Sequence, residues 1–326
     1  MRKVLLATTA LVALGGVSAA SADISISVSN EFKYRSWSDN TAEQAAANGA
    51  ENGHNKTDWS NDSTVKISAS TVTDNGLTLS SYAANDSTRA FDDYGFSIAG
   101  DWGTLGFQGS DSGDAFETAA DVTPDEGWTI DGFAGSATTA IAYVMPADAH
   151  VADSSVSYKS PDINGFQFAF GALPNGNSDA SSMGAQYSMT SGDATITVKY
   201  AASSGGKATT GAAEVEATSM GLVVGYGNAT VTIAQNTKEN GTYDFTGDSV
   251  GISYKMSDAM TLTAYTGTTE DAKDSTHEVS DTGLGVAYTI TPGLTLNVTH
   301  NDWDIKDTSI TNENGSHMAV ALDVSF

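Results

Sequence analysis

From Met318 to Phe326 the chain alternates without a break. Met318, Val320, Leu322, Val324 and Phe326 lie on one side, and Ala319, Ala321, Asp323 and Ser325 on the other. A side-chain period of two is a β-strand with two chemically different faces. The same period recurs near the start of the chain. Ile24, Ile26, Val28, Phe32 and Tyr34 oppose Ser25, Ser27, Ser29, Glu31, Lys33 and Arg35. Val65, Ile67 and Ala69 then oppose Thr64, Lys66, Ser68 and Ser70. Such strands must set one face against apolar material and the other against water.

Turn signals of two distinct lengths separate the strands. Asp74-Asn75-Gly76 suits a tight hairpin that tolerates positive φ, and the next strand starts at once with Leu77 and Leu79. Comparable short turns fall at 100–103, 161–165, 190–193, 227–228, 257–258 and 291–293. Longer polar segments lie between these hairpins: a stretch ending near Asp62, then 86–92, 111–153, 174–181, 203–216, 237–246, 269–280 and 303–315. The count is about sixteen strands, an even number, with both ends on the short-turn side. It treats Ala140–Met145, itself alternating, as part of the outsized third loop.

The first residues read as an address. Met1-Arg2-Lys3 is a basic start, Val4 to Val17 is an apolar run, and Ala20-Ser21-Ala22 is a small-residue cleavage site. That grammar is a secretory signal peptide, so residues 1–22 are expected to be removed and 23–326 to form one domain. No later run approaches the roughly 20 apolar residues of a spanning helix. Barrel strands cross a membrane with only about ten alternating residues, and they remain allowed.

Composition removes several function classes. The chain carries 14 basic and 40 acidic residues; without Arg2 and Lys3 the balance is 12 against 40, a net charge of −28. Nucleic acid is excluded as a partner for such a surface. Cysteine is absent, so neither disulfides nor thiolate metal sites contribute.

A sheet facing lipid can leave no backbone group unpaired, so the amphipathic strands imply a closed antiparallel barrel. Aromatics near strand ends, Tyr94, Tyr158, Phe166, Tyr200, Tyr226, Tyr254 and Tyr288, fall where interfacial girdles would lie. Lys33, Arg35, Lys66, Lys159, Lys199 and Lys255 all occupy the polar register, expected to face the lumen.

Three local features carry a family resemblance. They are Asp101-Trp102-Gly103-Thr104-Leu105-Gly106-Phe107 leading into an acidic loop, Ser157-Tyr158-Lys159-Ser160-Pro161 before Asn164-Gly165-Phe166, and the terminal Phe326. With the export signal and the hairpin rhythm, the chain resembles the general, non-specific porins of Gram-negative bacteria. The resemblance implies a sixteen-stranded, trimeric barrel in the outer membrane, in contact with lipid and lipopolysaccharide. It implies a water-filled channel passing small hydrophilic solutes and ions, without a cofactor, with Phe326 as assembly signal. It further implies a third loop folded into the lumen. Acidic Asp111, Asp114, Glu117, Asp121, Asp125 and Glu126 would then face a basic wall of Lys33, Arg35 and Lys66. That wall departs from the family pattern of several arginines: Arg35 and Arg89 are the only ones beyond the signal segment. A cation preference is the expected result. Such porins latch onto a neighbouring subunit with the second loop, which would put Asp86, Arg89, Asp92 and Asp93 at a trimer contact; read from the residues alone, a solvated loop is preferred.

Competing chemistry is thin. His54, His150, His277, His300 and His317 lack ligand spacing, and most read as loop residues. Asp111-Ser112-Gly113-Asp114 has the oxygen donors for Ca²⁺ but no EF-hand pattern. An outer-membrane enzyme would need an acid–base or nucleophile pair at one rim, and His300 with Asp302 and Asp304 is the local candidate. A secreted acidic β-rich adhesin without a pore is the alternative to the barrel.

Overall fold

The computed structural model describes residues 22–39, 57–85, 91, 93–108, 155–173, 179–205, 214–241, 243–306 and 313–326. The first half of the barrel comprises β1 (Asp23–Asp39), β2 (Thr57–Val72), β3 (Thr78–Asn85), β4 (Asp93–Gly100), β5 (Gly103–Gln108), β6 (Ser155–Lys159), β7 (Phe166–Leu173) and β8 (Ala180–Ser191). The second half comprises β9 (Ala194–Gly205), β10 (Val215–Tyr226), β11 (Ala229–Glu239), β12 (Asp244–Ser257), β13 (Met260–Asp271), β14 (Asp274–Thr291), β15 (Leu294–Lys306) and β16 (Glu313–Ser325). Each strand pairs antiparallel with its sequence neighbours, and β1 pairs with β16, so the sheet closes without an edge.

The terminal residue helps to seal that seam. The Phe326 N–H donates to the Val28 carbonyl at 3.0 Å, and the Val28 N–H donates to the Phe326 carbonyl at 3.3 Å. Lys33 stands opposite Ala321 and Tyr34 opposite Val320 higher along the same seam. The alternation at the two ends of the chain therefore meets in one ladder.

The seven short turns join β2 to β3, β4 to β5, and so on to β14 and β15, all at one end of the barrel. Glycine is required where the backbone turns left-handed against a neighbouring strand. Gly165 has φ +87°, and a Cβ there would lie 2.1 Å from the Ser188 carbonyl oxygen. Its N–H donates to Asp162 Oδ1 at 2.8 Å, which closes the turn.

At the opposite end the strands run further than the alternation indicates. β2 begins at Thr57, inside the stretch read as a polar connection to about Asp62. The segment 269–280, expected as a loop, is mostly strand: only Ala272 and Lys273 separate β13 from β14. The reason is physical. Beyond the hydrocarbon both faces of a strand meet water, and ladder hydrogen bonds continue without any apolar residues. There Thr266 Oγ1 lies 3.1 Å from Thr282 Oγ1, and Lys306 Nζ lies 2.7 Å from Glu278 Oε1. Ala140–Met145 lies outside the described residues. The ring closes without it, since β5 pairs directly with β6 and Thr104 stands opposite Lys159.

The outward face is apolar and uncovered. Val198 and Leu284 are 53% and 59% exposed, and Ile24, Ile26, Phe96, Ile233 and Ile252 are similarly bare. Contiguous exposure of this kind is the mark of a surface that meets something other than water. Aromatics border the band. Tyr226, Tyr254, Tyr288 and Phe166 flank the short turns, while Trp59 packs at a tilt beside Phe32 and Tyr34 (5.1 and 4.6 Å between ring centroids) towards the other end. Outward carboxylates appear beyond the band, as with Asp248, which accepts a hydrogen bond from Gln235 Nε2 at 2.8 Å.

A Leu284→Arg substitution is accordingly expected to reduce the stability of the refolded barrel by about 2–4 kcal/mol, because it sets a charge in the hydrocarbon. Asp248→Arg is expected to change it by less than about 1 kcal/mol. Denaturant titration in lipid vesicles measures both.

Candidate functional site: the lumen wall

Register decides which side chains face inward. Lys33 and Arg35 of β1 stand in line with Ala321 and Ala319 of β16 and with Ser60 and Asp58 of β2. Followed strand by strand, that face also carries Lys66, Lys159, Lys199 and Lys255. Lys238 of β11 belongs with them, opposite Phe245 and Ala217. Sequence reading missed it because 237–246 looks like a polar loop; the alternation from Val231 and Ile233, extended by two more residues per face, would have found it.

The inward cations are not equivalent. Lys33 is 6% exposed, and its ammonium lies 2.9 Å from Glu31 Oε1, so its charge is committed to the wall. Lys66 stands opposite Ser27, about 20 Å along the strand from Lys33. Its Nζ sits 4.6 Å from the centroid of the Tyr82 ring. The three residues expected as one basic cluster therefore occupy two levels of the lumen. Asp111, Asp114, Glu117, Asp121, Asp125 and Glu126, the expected acidic partners, lie outside the described residues. So do Asp86, Arg89 and Asp92 of the second loop. Asp93 begins β4 opposite Ala84, in the inward register rather than on an outer surface.

The far wall, β9 to β16, is polar but close-packed. The Tyr265 hydroxyl donates to Asp281 Oδ2 at 2.5 Å, across neighbouring strands. Asp271, 4% exposed, accepts from the N–H groups of Asp244 and Lys273 at 2.9 and 3.0 Å. It thereby ties two connections together at the rim. Asn301 and His317, cross-strand partners, are each 1% exposed although they face the lumen.

The histidines correct the loop reading. His277, His300 and His317 all lie in strands, while His54 and His150 fall outside the described residues. His300 Nε2 lies 3.4 Å from Asp302 Oδ2, but both belong to the exposed outer face, away from the lumen. Among the described residues no group of three or more His, Cys, Asp or Glu is arranged to hold a metal ion.

A closed sixteen-stranded antiparallel barrel, apolar outside and lined with charge and hydroxyls inside, defines an outer-membrane channel protein. The sequence model of the Gram-negative porins matches residues 7–308, and the chain belongs to that family. Comparison with curated protein sequences found no match. Solved structures share the fold at low identity. The trimer form of in-vitro folded OmpT from Vibrio cholerae is 12% identical, with a TM-score of 0.65 over 94% of this chain and 100% of the other. The anion-selective porin of Comamonas acidovorans is also 12% identical, with a TM-score of 0.64 over 94% and 100%. The outer-membrane channel DcaP of Acinetobacter baumannii is 10% identical, with a TM-score of 0.62 over 94% and 98%.

Removing the Tyr265 hydroxyl with Tyr265→Phe deprives a buried carboxylate of a donor. It is expected to destabilise the barrel by about 1–3 kcal/mol, read from the midpoint of urea unfolding.

Proposed function

We propose that the protein is a passive-diffusion porin for small hydrophilic solutes and ions, with a preference for cations. The observation that carries this reading is the two-faced register of a closed ring, apolar towards lipid and charged towards the lumen. Purified protein in a planar bilayer is expected to give stepwise increases in conductance. A protein that inserts but passes no current would overturn the reading.

The selectivity follows from charge placement. Residues 109–154 carry nine carboxylates, including Asp111, Asp114, Glu117, Asp121, Asp125 and Glu126, and no Lys or Arg. We place this third loop inside the barrel, over the far wall. The burial of inward-facing Ala201, Ser219, Asn301 and His317 supports that placement, since wall residues of an empty lumen would be wet. Screening acts over about 8 Å at physiological salt, so loop carboxylates at a constriction bias every passing ion. Lys33, Arg35 and Lys66 supply the opposing wall, with Lys66 the most open of the three.

Three further features complete the reading. Residues 1–22 are removed on export, leaving Asp23 as the first residue. No cofactor takes part. The barrel assembles as a homotrimer in outer-membrane lipid and lipopolysaccharide, through the sector of β4 to β6. Their outward face carries Phe96 stacked on Phe107, with ring centroids 4.5 Å apart.

The zero-current potential in a KCl gradient is expected to take the sign of cation selectivity. Replacing the six named loop carboxylates by their amides should shift it towards the anion side. Unchanged selectivity in that variant would remove the loop from the account. Phe107→Lys is expected to convert the native trimer band to monomer on a mild-detergent gel while leaving heat-modifiable migration intact.

A further inference from the structure

We propose that the turn-end half of the lumen, against β1 to β6, holds a binding subsite for small polyhydroxylated carboxylates such as sugar acids. The inference rests on the porin reading and adds to it a solute class and a place. A recess of about 470 Å³ opens on this part of the wall, lined by Lys66, Lys159, Tyr82 and a set of hydroxyl-bearing residues. That volume lies within the range of roughly 300–1,000 Å³ typical of small-molecule sites.

The floor of the recess is a row of hydroxyls set by register. Ser70 of β2 stands opposite Ser80 of β3, and Ser80 opposite Ser97 of β4. Ser97 faces Gly106 of β5, which in turn faces Ser157 of β6. Neighbouring strands lie about 4.8 Å apart, so donors and acceptors recur at that interval around the wall. Gly106 lets the row continue: a Cβ there would meet Ser157 Oγ at 2.7 Å. Each hydroxyl both donates and accepts, as does each hydroxyl of a polyol.

The cationic and aromatic groups are placed by the same economy of side chains. Tyr82 stands opposite Gly95, where a Cβ would lie 3.0 Å from Tyr82 Cε1. The missing side chain lets the ring settle over β4, and the Lys66 ammonium rests 4.6 Å from its centroid. Lys66 is exposed, and among the described residues no carboxylate lies within ion-pair distance of it. Lys159 enters from β6. Among the described residues, Asp23 is the one carboxylate that lines the recess. With Asp23 as the first residue of the exported chain, its own α-ammonium group offsets that charge. A carboxylate is thus attracted to one end of a hydroxyl-lined trough, in a protein whose net charge otherwise repels anions.

Single-channel recording tests this without any variant. In symmetric KCl, gluconate is expected to interrupt the current in a concentration-dependent manner. Its half-blocking concentration should be at least fivefold lower than that of either sorbitol or acetate. Lys66→Gln and Lys159→Gln should each raise the gluconate half-blocking concentration at least fivefold. Ser80→Ala/Ser97→Ala should weaken gluconate and leave acetate unaffected. Gluconate indistinguishable from sorbitol shows no anion recognition, and gluconate indistinguishable from acetate shows no polyol recognition; either overturns the proposal. Wild-type block in both lysine variants would displace the subsite from this recess. A conducting channel without gluconate block refutes the subsite alone, whereas absence of conductance refutes the porin reading beneath it.

Discussion

Backbone hydrogen bonding in hydrocarbon is the constraint on which the rest of this structure depends. Each unpaired N–H or C=O in the lipid costs several kcal/mol, so a sheet that crosses the membrane must have no edge. The chain meets that condition by pairing its first strand with its last, down to the Phe326 bonds with Val28. Closure then sets everything else. Once β1 and β16 are joined, every residue is assigned to lipid or lumen by parity alone, and a slip by one residue would exchange the two sets. The glycine turns at one end protect that parity, because each fixes the offset between two strands before the next begins.

The lumen inherits its chemistry from the same parity. Lys33 and Lys66 stand at two different levels of the barrel, and their environments differ accordingly. One is buried beside Glu31, the other exposed over Tyr82. A buried ion pair contributes little to attraction of a solute, since its field is already neutralised and its geometry is held by packing. An exposed ammonium over an aromatic face keeps its charge available. Nominally equal basic residues therefore have unequal parts in any channel, and a count of lumen lysines would not reveal which of them a solute meets.

Much of the fold was legible beforehand. The apolar alternation from Val320 to Phe326 and from Ile24 to Tyr34 marks strands, and the Asp74-Asn75-Gly76 type of turn marks their joins. Strand ends beyond the lipid were not legible. Glu270, Glu278 and Lys306 carry no apolar signal, yet they stand in regular ladders held by cross-strand bonds. Lys238 was missed for that reason. His317 was grouped with residues in or beside loops, whereas it stands in β16 opposite Asn301 and is buried on the wall.

The sequence by itself determined the period of two, the places where the chain reverses, and the export signal expected at its start. These are local properties, written in neighbouring residues. Tertiary structure alone decided which side chains become neighbours around the ring. Ser70, Ser80, Ser97 and Ser157 are spread over nearly ninety residues, and only pairing across five strands sets them in one row. The same pairing lays Tyr82 over a glycine and brings Lys159 to the recess of Lys66. Side-chain alternation assigns a residue to a face, but its height and its company come from the stagger of the closed sheet.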